Sequence, residues 1–265
     1  EMHGTLAKGG RLALSPEVIS ELKNKHPAGE DVNIHAVLEG VPPRVHHVIF
    51  DDLGADTVKK AFLRTNGSAG PSGADAAHWK RCAASFAGAS SELMQAKAEK
   101  ARLLCTEYHD PSTLTAFVNN RLVALDKCPG VRPVGIGEVE RRALGKAVLN
   151  VLSQEVREAA GVDNMCTGQF AACEAIVHAM KAAFESEAAD GLLLVDADNA
   201  FNRLNRKVAL LNIRHICPSL SIILINCYRS PARLYVAGGL QLSSEEGVTQ
   251  GDPLAMVMYT RRSGS

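Results

Sequence analysis

At 265 residues the chain can form one large domain or two small ones. With 46% apolar and 22% charged residues it can afford a buried core, which excludes a collagenous, wholly disordered or disulfide-stapled chain. Lys plus Arg total 29 and Asp plus Glu total 29, so no global field draws the chain to nucleic acid or anionic lipid, and any polyanion site must be local. The longest apolar runs, such as Leu192 to Val195 and Ile222 to Ile225, fall far below the roughly 18 residues of a membrane-spanning helix, so no membrane segment is expected.

The seven cysteines are odd in number and form no C-x-x-C pair, which argues against zinc knuckles and redox dithiols. Reduced, mostly buried cysteines in an intracellular protein are the simplest expectation, with nuclear and cytoplasmic locations left open. Glu1-Met2-His3-Gly4 lacks a basic region followed by an apolar one, so it does not read as a secretory signal. Met at the second position reads as a segment cut from a longer frame.

Along the chain, Ser15-Pro16-Glu17-Val18-Ile19 reads as an N-cap followed by a first-turn proline, opening a helix to about Lys25. Asn66-Gly-Ser-Ala-Gly-Pro-Ser-Gly73 is the clearest linker, so 1–73 is expected to be an N-terminal extension. Residues 74 to 107 read as helix, within a helical connector 74–110, with Trp79 as a core anchor and Phe86, Leu93 and Leu103-Leu104 at apolar positions. From Pro111 a short helix, a strand over 121–125, a turn at Asp126 to Gly130 and a returning strand over 131–136 are expected. Helices follow over 138–160 and 170–188, the second with Ile176, Val177, Met180 and Phe184 at core spacing. Gly191 to Val195 has the unalternating pattern of a strand covered on both faces. Helices over 206–215 and 220–227, a hairpin over 233–242 and a final helix from Asp252 complete the expectation.

Three stretches carry chemistry. Leu192-Leu-Leu-Val-Asp-Ala-Asp-Asn-Ala-Phe-Asn202 places Asp196 at the end of an apolar run, where a carboxylate can hold a divalent cation against phosphate oxygens; capping of the next helix by Asp196 or Asp198 is the competing explanation. Glu245-Glu-Gly-Val-Thr-Gln-Gly-Asp-Pro-Leu-Ala255 reads as a loop entering a helix, where Gln250-Gly251 lets backbone approach a flat partner. Between 121 and 150, six basic residues against three acidic ones make a modest patch suited to triphosphate or backbone phosphate. A solvated helix face explains Arg141 and Arg142 equally well.

In this order the stretches resemble the reverse transcriptases of retroelements. The matching text is Leu125-Asp-Lys-Cys-Pro-Gly-Val-Arg-Pro-Val-Gly-Ile-Gly, Leu194-Val-Asp-Ala-Asp-Asn-Ala-Phe-Asn-Arg-Leu-Asn-Arg and Glu246-Gly-Val-Thr-Gln-Gly-Asp-Pro-Leu-Ala-Met, covering roughly residues 110 to 260. The resemblance implies an α+β, helix-rich fold in which 111–265 forms a fingers β-hairpin and a partial palm sheet. It implies that Asp196 is the first catalytic metal-binding aspartate, with the Ala197 carbonyl as a further ligand, and that Phe201 stacks beneath the incoming sugar and excludes a 2′-hydroxyl. Gln250 and Gly251 match the loop against the nascent base pair, and Arg132 the fingers arginine on the triphosphate, with Lys127 its companion. The implied partners are an RNA or DNA template with primer and deoxynucleoside triphosphates. The implied reaction is attack of a primer 3′-hydroxyl assisted by two Mg²⁺ ions.

The family places two further adjacent aspartates on a strand pair after the Gln-Gly helix, and the chain given ends at Ser265 before any such motif. Asp51-Asp52 precedes every other motif and reads as an unrelated turn. Alone, the chain is therefore expected to be inactive in polymerisation. A catalytically dead remnant that binds nucleic acid or serves as a structural module is the main alternative. A nucleotide-sugar glycosyltransferase using Asp196-Ala-Asp198 is a remote one, since it leaves Gln250 and Arg132 unexplained.

Overall fold

The computed structural model describes residues 10–29, 32–38, 45–161, 171–186, 191 and 193–260. The chain is α+β, with many helices around a small mixed sheet of four strands. Helix α1 (Pro16–Asn24) starts as its sequence dictates: the Ser15 hydroxyl accepts from the Val18 amide at 3.3 Å, and Pro16 fills a first-turn position whose N–H would have no helical partner. After α2 (Ile34–Val37) and a 3-10 turn, His47–Phe50, Asp51-Asp52 lies in a turn as expected. Next come α3 (Ala55–Arg64), α4 (Ala76–Ala84), α5 (Ala87–Thr106) and α6 (Pro111–Val118).

The expected hairpin is present as β1 (Asn120–Asp126) and β2 (Val131–Gly137), antiparallel, with Arg132 opposite Leu125. Helices α7 (Val139–Val151), α8 (Ser153–Ala160), α9 (Ala172–Glu185), α10 (Ala200–Arg203), α11 (Arg206–Ile216) and α12 (Pro218–Tyr228) precede β3 (Ala232–Val236) and β4 (Gln241–Ser244). The sheet order is β2-β1-β3-β4; β3 runs parallel to β1 and antiparallel to β4. Gly238 and Gly239, both at positive φ, make the β3–β4 turn.

One large apolar cluster joins Phe50, Val58 and Phe62 from the N-terminal third to Leu144, Leu210, Leu224 and Met258. The Asn66–Gly73 stretch is therefore a loop between helices of one packed body, with α3 lying against both α5 and α7. Trp79 sits half-buried on this cluster and stacks on Phe62 with ring centroids 5.0 Å apart. A second cluster packs Leu22 of α1 against Leu122, Val131 and Leu234 of the sheet.

Several expectations fail. The helix read over 74–107 breaks at Ser85-Phe86, where Ala87 takes a positive φ, and Phe86 is exposed rather than a core residue. The helix read over 138–160 divides between α7 and α8 at Leu152. The expected helix from Asp252 is a 3-10 turn, Ala255–Tyr259.

The largest failure is the covered strand at 191–195. Leu192 lies outside the described residues; Leu193, Leu194 and Val195 have no regular structure and are 85%, 77% and 83% exposed. A buried strand needs a ladder neighbour and a covering layer, and no described strand pairs with this run. Likewise Val177 and Phe184 of α9 are each 63% exposed, because no described element covers the face they were expected to bury; Phe170 and residues 187 and 188 lie outside the described ones. Helical spacing identifies an apolar face but not the partner that covers it. All six described cysteines are free, and only Cys105, Cys217 and Cys227 are buried. Among the described residues no helix is long and apolar enough to cross a membrane.

Candidate functional site

Three segments far apart in sequence meet at one cleft. The β1–β2 hairpin brings Lys127 and Arg132, the stretch before α10 brings Asp196, Ala197 and Phe201, and the loop after β4 brings Gln250, all lining a space of about 340 Å³. Lys25, at the end of α1, forms another wall. Gly251 borders instead an adjoining recess with Gly135 and Gly137 of β2, to which Gln250 also contributes. The Lys127 and Arg132 side chains are exposed and pair with no described residue.

Specific contacts fix the walls. Asn199, in a left-handed conformation tolerated best by Asn among non-glycine residues, donates from Nδ2 to the Lys25 carbonyl at 2.8 Å, tying the Asp196 segment to α1. Lys25 in turn donates to the Val131 carbonyl at 2.6 Å, and the Val131 amide donates to Glu21 at 2.8 Å, so α1 pins the start of β2 beside Arg132. The third segment is sewn on by backbone: Val248 N–H donates to the Phe201 carbonyl at 2.6 Å and Gly247 N–H to the Leu204 carbonyl at 2.8 Å. Phe201 is half-buried and meets Tyr259 edge-on at 5.8 Å, while the Tyr259 hydroxyl donates to the Ala200 carbonyl at 2.7 Å.

Gln250 and Gly251 form the tip of a turn closed by the Asp252 amide on the Thr249 carbonyl at 3.0 Å; Gly251 has φ +87°, which suits glycine. Beneath the turn, the buried Asp252 carboxylate accepts from Arg141 and from the Tyr228 hydroxyl. Burial opposes the Arg141 charge, but Asp252, Tyr228 and Cys227 together outweigh it and hold the guanidinium protonated; burial, then Asp252, raises the Tyr228 hydroxyl well above its ordinary range. Arg206 braces the other side, donating to the Gly247 and Ser244 carbonyls at 2.7 Å each, and burial pushes it down to about 10, which leaves it charged at neutral pH.

The basic patch read from 121–150 thus splits. Arg141 is neither a phosphate ligand nor part of a solvated face: it is buried and paired with Asp252. Arg142 donates to the carbonyls of Asn66 and Ser68, holding the 66–73 loop. Only Lys127 and Arg132 face the cleft. Lys25, Asn199 and Tyr228 had no sequence signal, because their roles come from contacts to backbone and to residues distant in the chain.

For metal the residues fall short. Asp196 is exposed, Asp198 lies 3.6 Å from Arg203, and the described residues contain no group of three or more His, Cys, Asp or Glu side chains able to hold an ion. A single carboxylate with a neighbouring carbonyl does not meet the ligand requirement of a two-Mg²⁺ centre. The cleft is lined by two unpaired cations, a carboxylate, a half-buried aromatic ring and a backbone turn, a set that suits a phosphorylated, ring-bearing ligand. A scan of the chain against protein-family models and a search of curated proteins found no match.

Proposed function

We propose that this chain is the fingers and partial palm of an RNA-directed DNA polymerase, and that the cleft receives a deoxynucleoside triphosphate over a primer–template. The observation that carries the reading is the convergence on one cleft of Lys127 and Arg132, Asp196 to Phe201, and Gln250, from segments more than about 45 residues apart. In this reading Arg132 and Lys127 neutralise the triphosphate, since a guanidinium fork matches phosphate oxygens. Phe201 lies under the sugar and leaves no room for a 2′-hydroxyl. The Gln250-Gly251 turn, braced by Asp252, sets a flat surface against the base pair. Asp196 faces the reacting end.

A second reading, binding of nucleic acid and nucleotide without turnover, is favoured by the shortage of metal ligands among the described residues. Titration of the chain with a deoxynucleoside triphosphate tests the first. Arg132→Ala is expected to weaken binding by about tenfold or more, the worth of a charge-assisted contact, while the exposed Arg233→Ala on β3 leaves it unchanged. Absence of binding, or equal loss from both variants, overturns the assignment of the cleft. Binding that is independent of Mg²⁺ and indifferent to Asp196→Asn selects the reading without turnover.

A further inference from the structure

A larger cavity lies away from this cleft. It has a volume of about 1010 Å³ and lies between the β1 strand, α6, α4 and the extended residues 11–14. Its walls are mainly apolar: Leu12, Leu14, Trp79, Phe117, Leu122 and Val236 all contribute. At this size it stands at the top of the range of small-molecule sites, about 300–1,000 Å³. It shares no residue with the cleft that holds Arg132 and Asp196.

The charges on its wall are unevenly matched. Both carboxylates are already engaged: Glu138 accepts from the Ser72 amide and hydroxyl at 2.7 Å each, and Glu140 accepts from Lys97 at 2.9 Å and Lys100 at 2.8 Å. Lys100, which also borders the cavity, shares that single carboxylate with Lys97 and lies over the Phe117 ring at 4.6 Å. The guanidinium of Arg121 makes no ion pair with a described residue, and its Nε–H is buried without an acceptor. The Trp79 Nε1–H is likewise buried without an acceptor. Both nitrogens are shielded from a water-sized probe, so a ligand in the cavity meets Arg121 through the terminal nitrogens of its guanidinium, which carry no ion pair with a described residue.

From this we infer that the cavity binds an amphipathic carboxylate: a long apolar chain along the Leu12, Leu122 and Val236 walls, with its carboxylate on Arg121. Arginine selects that head group because its planar fork meets two carboxylate oxygens at once. The surplus of unpaired positive charge repels an ammonium head, and a neutral apolar body leaves Arg121 desolvated without compensation.

Trp79 is the single tryptophan of the chain and lines the cavity, so its fluorescence reports occupancy directly. The experiment is titration of the full chain with a dibrominated C18 carboxylate, its methyl ester and the alkyl phosphate of equal length, all below their micellar concentrations. Saturable quenching by the carboxylate is expected, with the ester and the phosphate each weaker by about tenfold. Arg121→Gln should remove that preference for the acid while far-UV circular dichroism stays unchanged. Ala116→Phe, at an exposed wall position of α6, should weaken the acid and the ester together. Absence of saturable quenching overturns the site; equal binding of acid and ester, or an Arg121→Gln variant that keeps the preference, overturns the role of Arg121; tighter binding of the phosphate overturns the head group.

Discussion

One carboxylate oxygen of Asp252 receives both the Arg141 guanidinium and the Tyr228 hydroxyl, each at 2.6 Å, with the Arg141 and Asp252 side chains 3% exposed. This buried knot joins α7, α12 and the turn that carries Gln250. Removing one member of such a pair leaves an uncompensated charge in the interior. Asp252→Ala is therefore expected to cost about 3–5 kcal/mol in urea unfolding, and the double change Arg141→Met with Asp252→Leu to cost clearly less. A loss below about 1 kcal/mol for the single variant is what a solvated pair gives, and would refute the burial.

Gly247 has φ +71°, and a Cβ there would collide with the Phe201 carbonyl oxygen and the Asn202 backbone. The close approach is what allows Val248 to bond to Phe201. Gly247→Ala is expected to destabilise the fold by about 2 kcal/mol or more, through left-handed strain and displacement of that bond. A neutral melting temperature in thermal unfolding would contradict it.

His26 follows α1 and donates from Nδ1 to the Leu22 carbonyl at 2.7 Å. Burial holds its imidazole below the usual 6.5, the Leu22 carbonyl partly opposing this and the Arg206 charge adding to it. The folded state thus binds this proton less readily than the unfolded one, so stability from His26 is full above pH 6.5 and is lost as the pH falls below it. The loss has a limiting slope of about 1.4 kcal/mol per pH unit. Unfolding curves between pH 7.5 and 5, on roughly that scale, should show a shallower decline for His26→Asn than for the parent. Parallel curves would remove His26 as a source of acid sensitivity.

If the cleft holds a sugar over Phe201, truncating the ring opens space for a 2′-hydroxyl. Phe201→Ala should then bring ribonucleotide and deoxynucleotide affinities together, by roughly the tenfold that one lost steric or packing contact represents. Because Phe201 also touches Tyr259, the absolute affinity is expected to fall as well, so the ratio of the two is the quantity to measure. An unchanged ratio removes the specificity role of Phe201.

Much of the local structure was legible in the residues themselves. Ser15-Pro16 and Asp110-Pro111 start helices through side-chain and proline effects confined to one turn, and the 120–137 hairpin follows from two short apolar runs around Pro129-Gly130. Lys127, Arg132, Asp196, Ala197, Phe201 and Gln250, which line the cleft, are legible as candidates because they fall in three compact stretches, whereas Lys25 is not.

What sequence reading missed depends on partners far along the chain. The run Leu193 to Val195 has the composition of a buried strand, yet composition does not supply the ladder neighbour that burial requires. Arg141 reads as a surface cation until Asp252, 111 residues away, is folded against it. The amino-acid sequence by itself determined where helices cap, where the hairpin turns and which short stretches carry phosphate-compatible chemistry, since those are set by neighbours within a few residues. Only the tertiary structure decided that Arg141 braces a turn while Arg132 faces a cleft, and that Arg121 lines an apolar cavity without a counter-ion. Burial and charge pairing are properties of packed surfaces, which local sequence does not encode.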